Sequence, residues 1–255
     1  MVPGLVPPGM PLDVLVERER IAAEMRALAP PKPWEKLQAY LGSPVPVLGL
    51  TTPQLRGVHA AFRKEHPSLT SRDVNLLAAA MWSGPTWEEK VFGIGLLDQN
   101  RDALDERSWL LADSWVDEAT GWALSDGLAA GPISYMVHSK PARFREILGW
   151  TKAENYWRRR ASTYALNEFI RAGELDKPFQ LLERLLYDDE FWVQRAVGTW
   201  LRECWKKDRP RTEAFLRKHV NGLPPVTITV ATERAPKVFR EELRRKSKAA
   251  RSRRK

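Results

Sequence analysis

The chain has 255 residues, of which 43% are hydrophobic and 29% are charged, so most of it has the composition of a folded protein with a substantial core. Its formal net charge is +9, and residues 244–255 hold eight lysines and arginines and no acid, which leaves about +1 for residues 1–243. The single cysteine, Cys204, excludes an internal disulfide and a cysteine-cluster metal site. The four histidines lack the spacing of metal ligands, so we expect neither a metal nor another cofactor.

The amino terminus lacks the basic segment and the long apolar stretch of a secretory signal, and no run of about 18 apolar residues occurs. We therefore expect a soluble, cytoplasmic protein that does not contact a membrane. The basic segment 244–255 is typical either of a disordered, solubilising end or of a segment that binds phosphates loosely. We expect it to be disordered and to follow a single α-helical repeat domain, residues 1–243.

Apolar residues recur at helical spacing along most of the chain. Thr52 followed by Pro53 predicts an N-cap with proline at the first helical position. Strand-like alternation occurs only in PVTITVAT, residues 225–232. The pattern predicts an all-α fold of about a dozen short helices. Its clearest segments are DVLVERERIAAEMRALA (13–29), TPQLRGVHAAFRKEH (52–66), RDVNLLAAAMW (72–82), PFQLLERLLYD (178–188) and RTEAFLRKHV (211–220).

Four tryptophans follow one another at a constant spacing of 35 residues: Trp87, Trp122, Trp157 and Trp192. In three of the four segments a basic residue comes three positions later, a small apolar residue next and leucine at the ninth position. Chance could space the tryptophans alone, but the agreement at three further positions favours a repeat. A helical period of this length is typical of stacked helix pairs and predicts a HEAT-like solenoid with a concave basic groove.

The second repeat departs from the others at two neighbouring positions. Asp126 occupies the position that is Val91, Ala161 or Ala196 elsewhere, and Ser125 replaces the basic residue before it. Trp122 and Asp126 are four residues apart and share one helical face, so they could bind a cation or a developing positive charge. The alternative is a structural ion pair between Asp126 and an arginine of the next repeat, Arg159 or Arg160, and the pattern leaves both interpretations open.

Basic residues recur in register in the other repeats. Lys90, Arg160 and Arg195 occupy the same repeat position, and Arg195, Thr199 and Arg202 share one helical stripe. Arg158, Arg159 and Arg160 are consecutive, so they cannot all face one surface, and some must be solvated or bound to neighbours. Stacked repeats with such side chains on the concave face would follow a phosphate backbone, although a charged face is often merely solvated.

Four ordered segments resemble the AlkD-type DNA alkylation repair glycosylases, which are built from HEAT-like repeats. These segments are LGLTTPQLR, TGWALSDGLA, NYWRRRAS and EFWVQRAVGTWLRE, and the likeness extends from about Leu48 onward. The resemblance implies that Trp122 and Asp126 are the catalytic pair, and that Arg160 and Arg202 contact DNA. We include Lys90, Arg159, Arg195, Thr199 and Trp200 among the expected DNA contacts.

Two positions depart from the family pattern. Ala123 stands where the family usually has a second acid, and Thr199 stands where it has an aromatic residue, with Trp200 one position further on. A rotation of about 100° per residue separates the two positions, so Trp200 could substitute for that aromatic residue or face the core.

The resemblance implies a hydrolase that excises N3- or N7-alkylated purines from double-stranded DNA without a base-flipping pocket. We expect it to act as a monomer in the cytoplasm, associated with the nucleoid when it binds DNA. The alternatives are a non-catalytic repeat protein that binds damaged or branched DNA, and a protein-interaction solenoid that holds an acidic peptide. Gly93 and Gly95 form an isolated GxG that predicts close helix packing rather than phosphate binding.

Overall fold

The computed structural model describes residues 12–32 and 35–252. Over these residues the chain forms helices and turns and no β-strand, so the prediction of an all-α fold is confirmed. None of the helices in this part of the chain combines the length and the apolarity needed to cross a membrane. The chain divides into two compact units at Ile133 and Ser134. The single repeat domain predicted for residues 1–243 stays a prediction.

The first unit is built around two helices, α4 and α5, which pack along each other. Helices α1, α3 and α6 contact this pair, and α7 packs on α5. The unit contains α1 (Val14–Leu28), α2 (Leu37–Leu41), α3 (Thr52–Glu65), α4 (Ser71–Trp82), α5 (Trp87–Gln99), α6 (Glu106–Glu118) and α7 (Trp122–Leu128), with a 3₁₀ turn at Arg101–Ala103 and a π turn at Ala129–Ile133.

Capping boxes begin four of these helices. Thr51, Thr70, Thr86 and Asp105 each accept a hydrogen bond from the backbone N–H three residues later, and the side chain of that residue bonds back to the cap. The N-cap of α3 is therefore Thr51, and the prediction of Thr52 is wrong by one residue. The reciprocal bond from Gln54 explains the difference, because only a cap at Thr51 places Gln54 three residues into the helix.

Two glycines of α5 permit close helix packing, as predicted from the isolated GxG. A β-carbon on Gly93 would lie 2.8 Å from the carbonyl oxygen of Ala78 in α4. A β-carbon on Gly95 would lie 2.4 Å from the imidazole ring of His59 in α3. The two glycines therefore bring α5 against its neighbours, and the packing prediction is confirmed.

The second unit is organised by its longest helix, α13. Helices α10, α12, α14 and α15 all contact α13. The unit contains α8 (Ser134–Ser139), α9 (Phe144–Trp150), α10 (Tyr156–Tyr164), α11 (Asn167–Ala172), α12 (Asp176–Leu185), α13 (Phe191–Lys207), α14 (Arg209–His219), α15 (Pro225–Ala231) and α16 (Lys237–Ser252), with a 3₁₀ turn at Pro141–Arg143.

The strand-like segment 225–232 is helical, because residues 225–231 form α15. Thr227, Ile228 and Ala231 are buried on one side of it, and the Thr227 hydroxyl donates to the carbonyl oxygen of Gln194 in α13. Gly198 of α13 lies where a β-carbon would approach Thr227 O to 3.0 Å. Burial against α13 therefore overrides the strand preference of the β-branched residues.

The disorder predicted from residue 244 is wrong as far as residue 252, because α16 continues to Ser252. Phe239, Leu243 and Ser247 follow one another at four-residue intervals and are all buried. The Ser247 hydroxyl donates to the carbonyl oxygen of Leu223. This buried stripe holds the helix on the second unit, and residues 253–255 lie outside the described part of the chain.

Candidate functional site

The four repeating tryptophans each stand at the start of a helix. Trp87 and Trp122 are the first residues of α5 and α7, while Trp157 and Trp192 are the second residues of α10 and α13. The 35-residue period is therefore a period of helix starts. The repeat positions three and four residues after each tryptophan lie on the first turn and a half of these helices, including the position that holds Asp126.

The first unit fixes Trp122 at two points. Its indole Nε1–H donates to the carbonyl oxygen of Tyr40 at 2.6 Å, and the Tyr40 ring meets the indole edge to face with centroids 5.4 Å apart. Gly121 precedes it with φ of +88°, and a β-carbon there would lie 2.5 Å from the carbonyl oxygen of Leu41. The end of α2 thus packs directly against the start of α7 and orients the indole.

Asp126 lies one turn after Trp122 on the same helix and is half-buried. The two side chains share a helical face, as the four-residue spacing predicted. Ser125 beside it is buried, and its hydroxyl has no hydrogen-bond partner among the described residues. The carboxylate therefore stands at the edge of the core.

Helix α7 ends two residues after Asp126, at Leu128, for a local reason. Pro132 lacks an N–H and its ring would collide with the carbonyl group of Leu128, the last residue of α7. The chain passes into the π turn Ala129–Ile133, in which Gly131 has non-helical torsion angles of φ −88° and ψ −107°. Irregular turns of this kind often occur at functional sites, because they re-aim the neighbouring side chains.

Lys90 occupies the corresponding basic position of the first repeat, but it is bound within its own unit. Its ammonium group donates to the carbonyl oxygen of Trp82 and lies 4.9 Å from the centre of that indole. Burial lowers the pKa of Lys90, and Glu118 and Glu89 oppose this shift. The structure thus gives Lys90 a packing role on α4.

Arg160 is buried in the second unit and is only 4% exposed. Its guanidinium group donates to the carbonyl oxygen of Trp192 at 2.6 Å and to the hydroxyl group of Tyr164 at 2.9 Å. It also lies over the rings of these two residues. The side chain predicted to contact DNA therefore ties the first turn of α13 to α10.

Arg159 is one of the arginines bound to neighbours that the consecutive run predicted. It forms a two-point ion pair with Asp188, through contacts of 2.7 and 3.2 Å. Its remaining donor group bonds the carbonyl oxygens of Ala153 and Glu154. These contacts join the loop before α10 to the loop before α13.

The predicted stripe on α13 combines residues of different exposure. Arg195 is exposed, and Thr199 is half-buried with its hydroxyl donating to the carbonyl oxygen of Arg195. Arg202 forms ion pairs with Glu203 and Glu233, and the hydrogen bond from Arg202 lowers the pKa of Glu233. Arg195 is therefore the exposed cation of this stripe.

Trp200, expected among the DNA contacts, faces the core. It is 6% exposed and meets the Tyr164 ring edge to face at 5.2 Å. Its indole N–H is buried with no partner among the described residues. Trp200 therefore does not substitute at the surface for the aromatic residue that Thr199 replaces.

Two residues that the sequence reasoning missed organise these groups. Tyr40 orients Trp122 through its backbone carbonyl and ring, and Tyr164 links Arg160 to Trp200. The four-residue spacing of Arg160 and Tyr164 on α10 would have suggested the second contact. Nothing in the sequence points from Tyr40 to a tryptophan 82 residues later. No group of three or more His, Cys, Asp or Glu side chains within residues 12–32 and 35–252 is arranged to hold a metal ion.

Comparison with known proteins places the chain in a family. It resembles in structure a predicted DNA alkylation repair enzyme from Enterococcus faecalis, with a TM-score of 0.70 and 20% identity, over 82% of this chain and 97% of the other. It also resembles AlkD2 from Streptococcus mutans, with a TM-score of 0.62 and 14% identity, over 85% and 97% of the two chains. Comparison with curated proteins gives no match. The family model described as "DNA alkylation repair enzyme" matches residues 21–235, and the chain therefore belongs to the DNA alkylation repair enzyme family.

Proposed function

We propose that the chain is a DNA glycosylase that releases N3- or N7-alkylated purines from double-stranded DNA without drawing the base into a pocket. The observation that carries the proposal is the pair on α7: an indole held by Tyr40, and Asp126 one turn further along. Sister repeats have valine or alanine at the position of Asp126. A carboxylate in place of an apolar side chain is expected where the negative charge has a task.

Hydrolysis of the glycosidic bond of an alkylated purine requires stabilisation of positive charge. An N3- or N7-alkylated purine already carries a positive charge, and when its glycosidic bond breaks, the bonding electron pair neutralises the departing base. Positive charge then develops on the sugar as an oxocarbenium-like centre. The Asp126 carboxylate stabilises this charge and orients a water molecule, which adds to the sugar C1′ and loses a proton to the solvent.

Trp122 acts through its ring in this proposal. Its N–H already donates to the Tyr40 carbonyl oxygen, so it has no donor left for the nucleotide. The electron-rich face of an indole attracts cations, and this attraction favours a charged base over a neutral one. Selectivity for cationic lesions follows from this arrangement.

Release of 7-methylguanine and 3-methyladenine from methylated duplex DNA tests the proposal. Wild-type protein should release at least one of these bases, and Asp126→Asn should slow the release by about 100-fold or more, because the charge is lost while the shape is kept. Asp176→Asn is the matched control, since Asp176 is an exposed carboxylate of the second unit, paired with Arg211. Equal rates for wild type and Asp126→Asn would refute the catalytic assignment.

A second candidate is a non-catalytic protein that binds damaged or branched DNA. The burial of Trp200 favours it, because Thr199 then leaves the family's aromatic position without a substitute. In that case wild-type protein releases neither base but still binds duplex DNA in a salt-dependent manner. We propose double-stranded DNA as the partner and a monomer as the acting species in both candidates.

A further inference from the structure

We infer that α16 adds a separate contact to the DNA backbone, through a stripe of cations that we call the α16 stripe: Arg244, Arg245 and Lys248. The inference rests on double-stranded DNA as the partner, and it does not depend on base release. Helix α16 begins at Lys237, after the family match ends at residue 235. It therefore lies outside the part of the chain that the family model matches.

The composition of α16 changes along its length. Its acids, Glu241 and Glu242, lie in the first two turns, and residues 243–255 contain no acid. Glu241 contacts Lys237, while Glu242 contacts Lys246 and Arg217. The ion pairs that the structure gives these two acids are with other cations, and none of them is with a residue of the stripe.

The stripe faces away from the core. Arg244, Arg245 and Lys248 are all exposed, while the buried residues Phe239 and Leu243 lie on the other side of the helix. Arg244 donates one hydrogen bond to the hydroxyl group of Thr229 in α15, which positions its guanidinium group without neutralising it. An anionic partner can approach this face from solvent.

A role in helix stability does not explain the stripe. Cations favour a helix C-terminus, but this effect is confined to about the last turn, and Arg244 and Arg245 lie about two turns before Ser252, the last described residue of α16. Arg244 and Lys248 are four residues apart and repel each other, which destabilises a helix. An arrangement with this cost is expected where a ligand supplies the missing negative charge.

The contacts of α16 point to DNA rather than to an anionic membrane. A helix that binds membranes needs an exposed apolar face. Val238 is the one large apolar residue exposed on the described part of α16, and Phe239 and Leu243 are packed on the second unit. Arg240 donates to the carbonyl oxygen of Glu233, whose side chain pairs with Arg202, one of the expected DNA contacts. Helix α16 is thus connected through Arg240 and Glu233 to the predicted DNA-binding face of α13, and Arg240 lies one helical turn before Arg244 of the stripe.

The test measures binding of unmodified duplex DNA between 50 and 200 mM salt. The double variant Arg244→Gln with Lys248→Gln should flatten the slope of log affinity against log salt by about 2. Each lost phosphate contact corresponds to about a 3.5-fold change in affinity over this salt range. The loss of affinity between 50 and 200 mM salt should therefore be about tenfold smaller for the double variant than for wild type. Glutamine keeps the helix, which circular dichroism checks.

The control removes two charges elsewhere in the second unit. Lys218→Gln with Lys246→Gln lowers the net charge by the same amount, but both lysines contact acids in the structure. An unchanged slope in the stripe variant, or equal flattening in the control, overturns the inference. Loss of binding to vesicles rich in phosphatidylserine with unchanged DNA binding overturns it in favour of a membrane. Base release at saturating protein should be the same in both variants, so a wild type that releases no base refutes only the proposed function.

Discussion

The indole of Trp122 gains its orientation from backbone groups rather than from its neighbours along the helix. The Tyr40 carbonyl accepts its N–H, and the absent side chain of Gly121 allows α2 to come close enough for that bond. Trp87, at the same repeat position, has a buried N–H with no partner among the described residues. The two tryptophans therefore differ in whether the indole N–H has a hydrogen-bond partner.

This difference predicts that the same substitution slows base release at Trp122 and leaves it unchanged at Trp87. Trp122→Phe loses the bond to Tyr40 and weakens the attraction for a cation, so base release should slow by about tenfold, the equivalent of about 1.4 kcal/mol. Trp87→Phe removes an N–H that bonds nothing in the described structure, so release should keep the wild-type rate. Single-turnover release from methylated duplex DNA measures both. Equal slowing in the two variants would mean that the Trp122 contact has no special role.

At the scale of the element, α7 illustrates how local backbone conformation sets a helix start. Gly121 has φ of +88° and lies in contact with Leu41 and Gly42, whereas Gly127, six residues later, has nothing within 4 Å of its expected β-carbon. Gly121 directly precedes Trp122 in the sequence, and Gly127 directly follows Asp126.

Alanine at these two glycines should shift stability in opposite directions. Gly121→Ala places a β-carbon 2.5 Å from the Leu41 carbonyl oxygen at a left-handed position, which should destabilise the fold by about 1–3 kcal/mol. Gly127→Ala adds a good helix former at an exposed position of α7 and should stabilise it by about 0.5–1 kcal/mol. Urea unfolding of both variants gives the two differences. A neutral Gly121→Ala would contradict the packing of α2 against α7.

The sequence predicted elements well where a periodic pattern repeats, and less well where burial decides. The tryptophan period located four helix starts, and Asp126 was identified because it breaks the register. Residues 225–232 have the alternating β-branched pattern that is typical of a strand. Residues 225–231 are nevertheless helical and pack against Gly198 and Gln194 of α13. Disorder was predicted for residues 244–252 because they are rich in charge. The buried residues Phe239, Leu243 and Ser247 hold this helix on the second unit, and two of them lie before residue 244.

At the scale of the whole molecule, the formal charge of +9 overstates the cations available to DNA. Arg159 and Arg202 are paired with acids, and Arg160 is buried against backbone and aromatic groups. Such pairings join residues about 30 positions apart, so a single sequence does not reveal them. Arg195 and the α16 stripe are exposed, and we expect them to contribute to the salt dependence of binding.

The stability of the whole chain should depend on pH through His59, which no proposed reaction step uses. The imidazole stacks on Phe92 with ring centroids 4.0 Å apart, and burial lowers the pKa of His59 to about 4. The unfolded chain has the ordinary pKa of about 6.5 and so binds more protons between pH 6.5 and 4. The stabilising contribution is complete above pH 6.5 and falls by about 3 kcal/mol as the pH drops to 4.

Urea unfolding of wild type and His59→Gln at several pH values measures this effect. The wild-type free energy of unfolding should decrease between pH 6.5 and 4 with a slope that approaches one proton, and His59→Gln should lack that component even if it is less stable at neutral pH. Asp105 does not interfere, because hydrogen bonds, the first from Ser71, lower its pKa from 3.8 to about 2 and its contribution is lost only below pH 4. If the two proteins keep the same pH slope, His59 is not buried as a neutral group, and the tight contact between α3 and Gly95 is absent in solution.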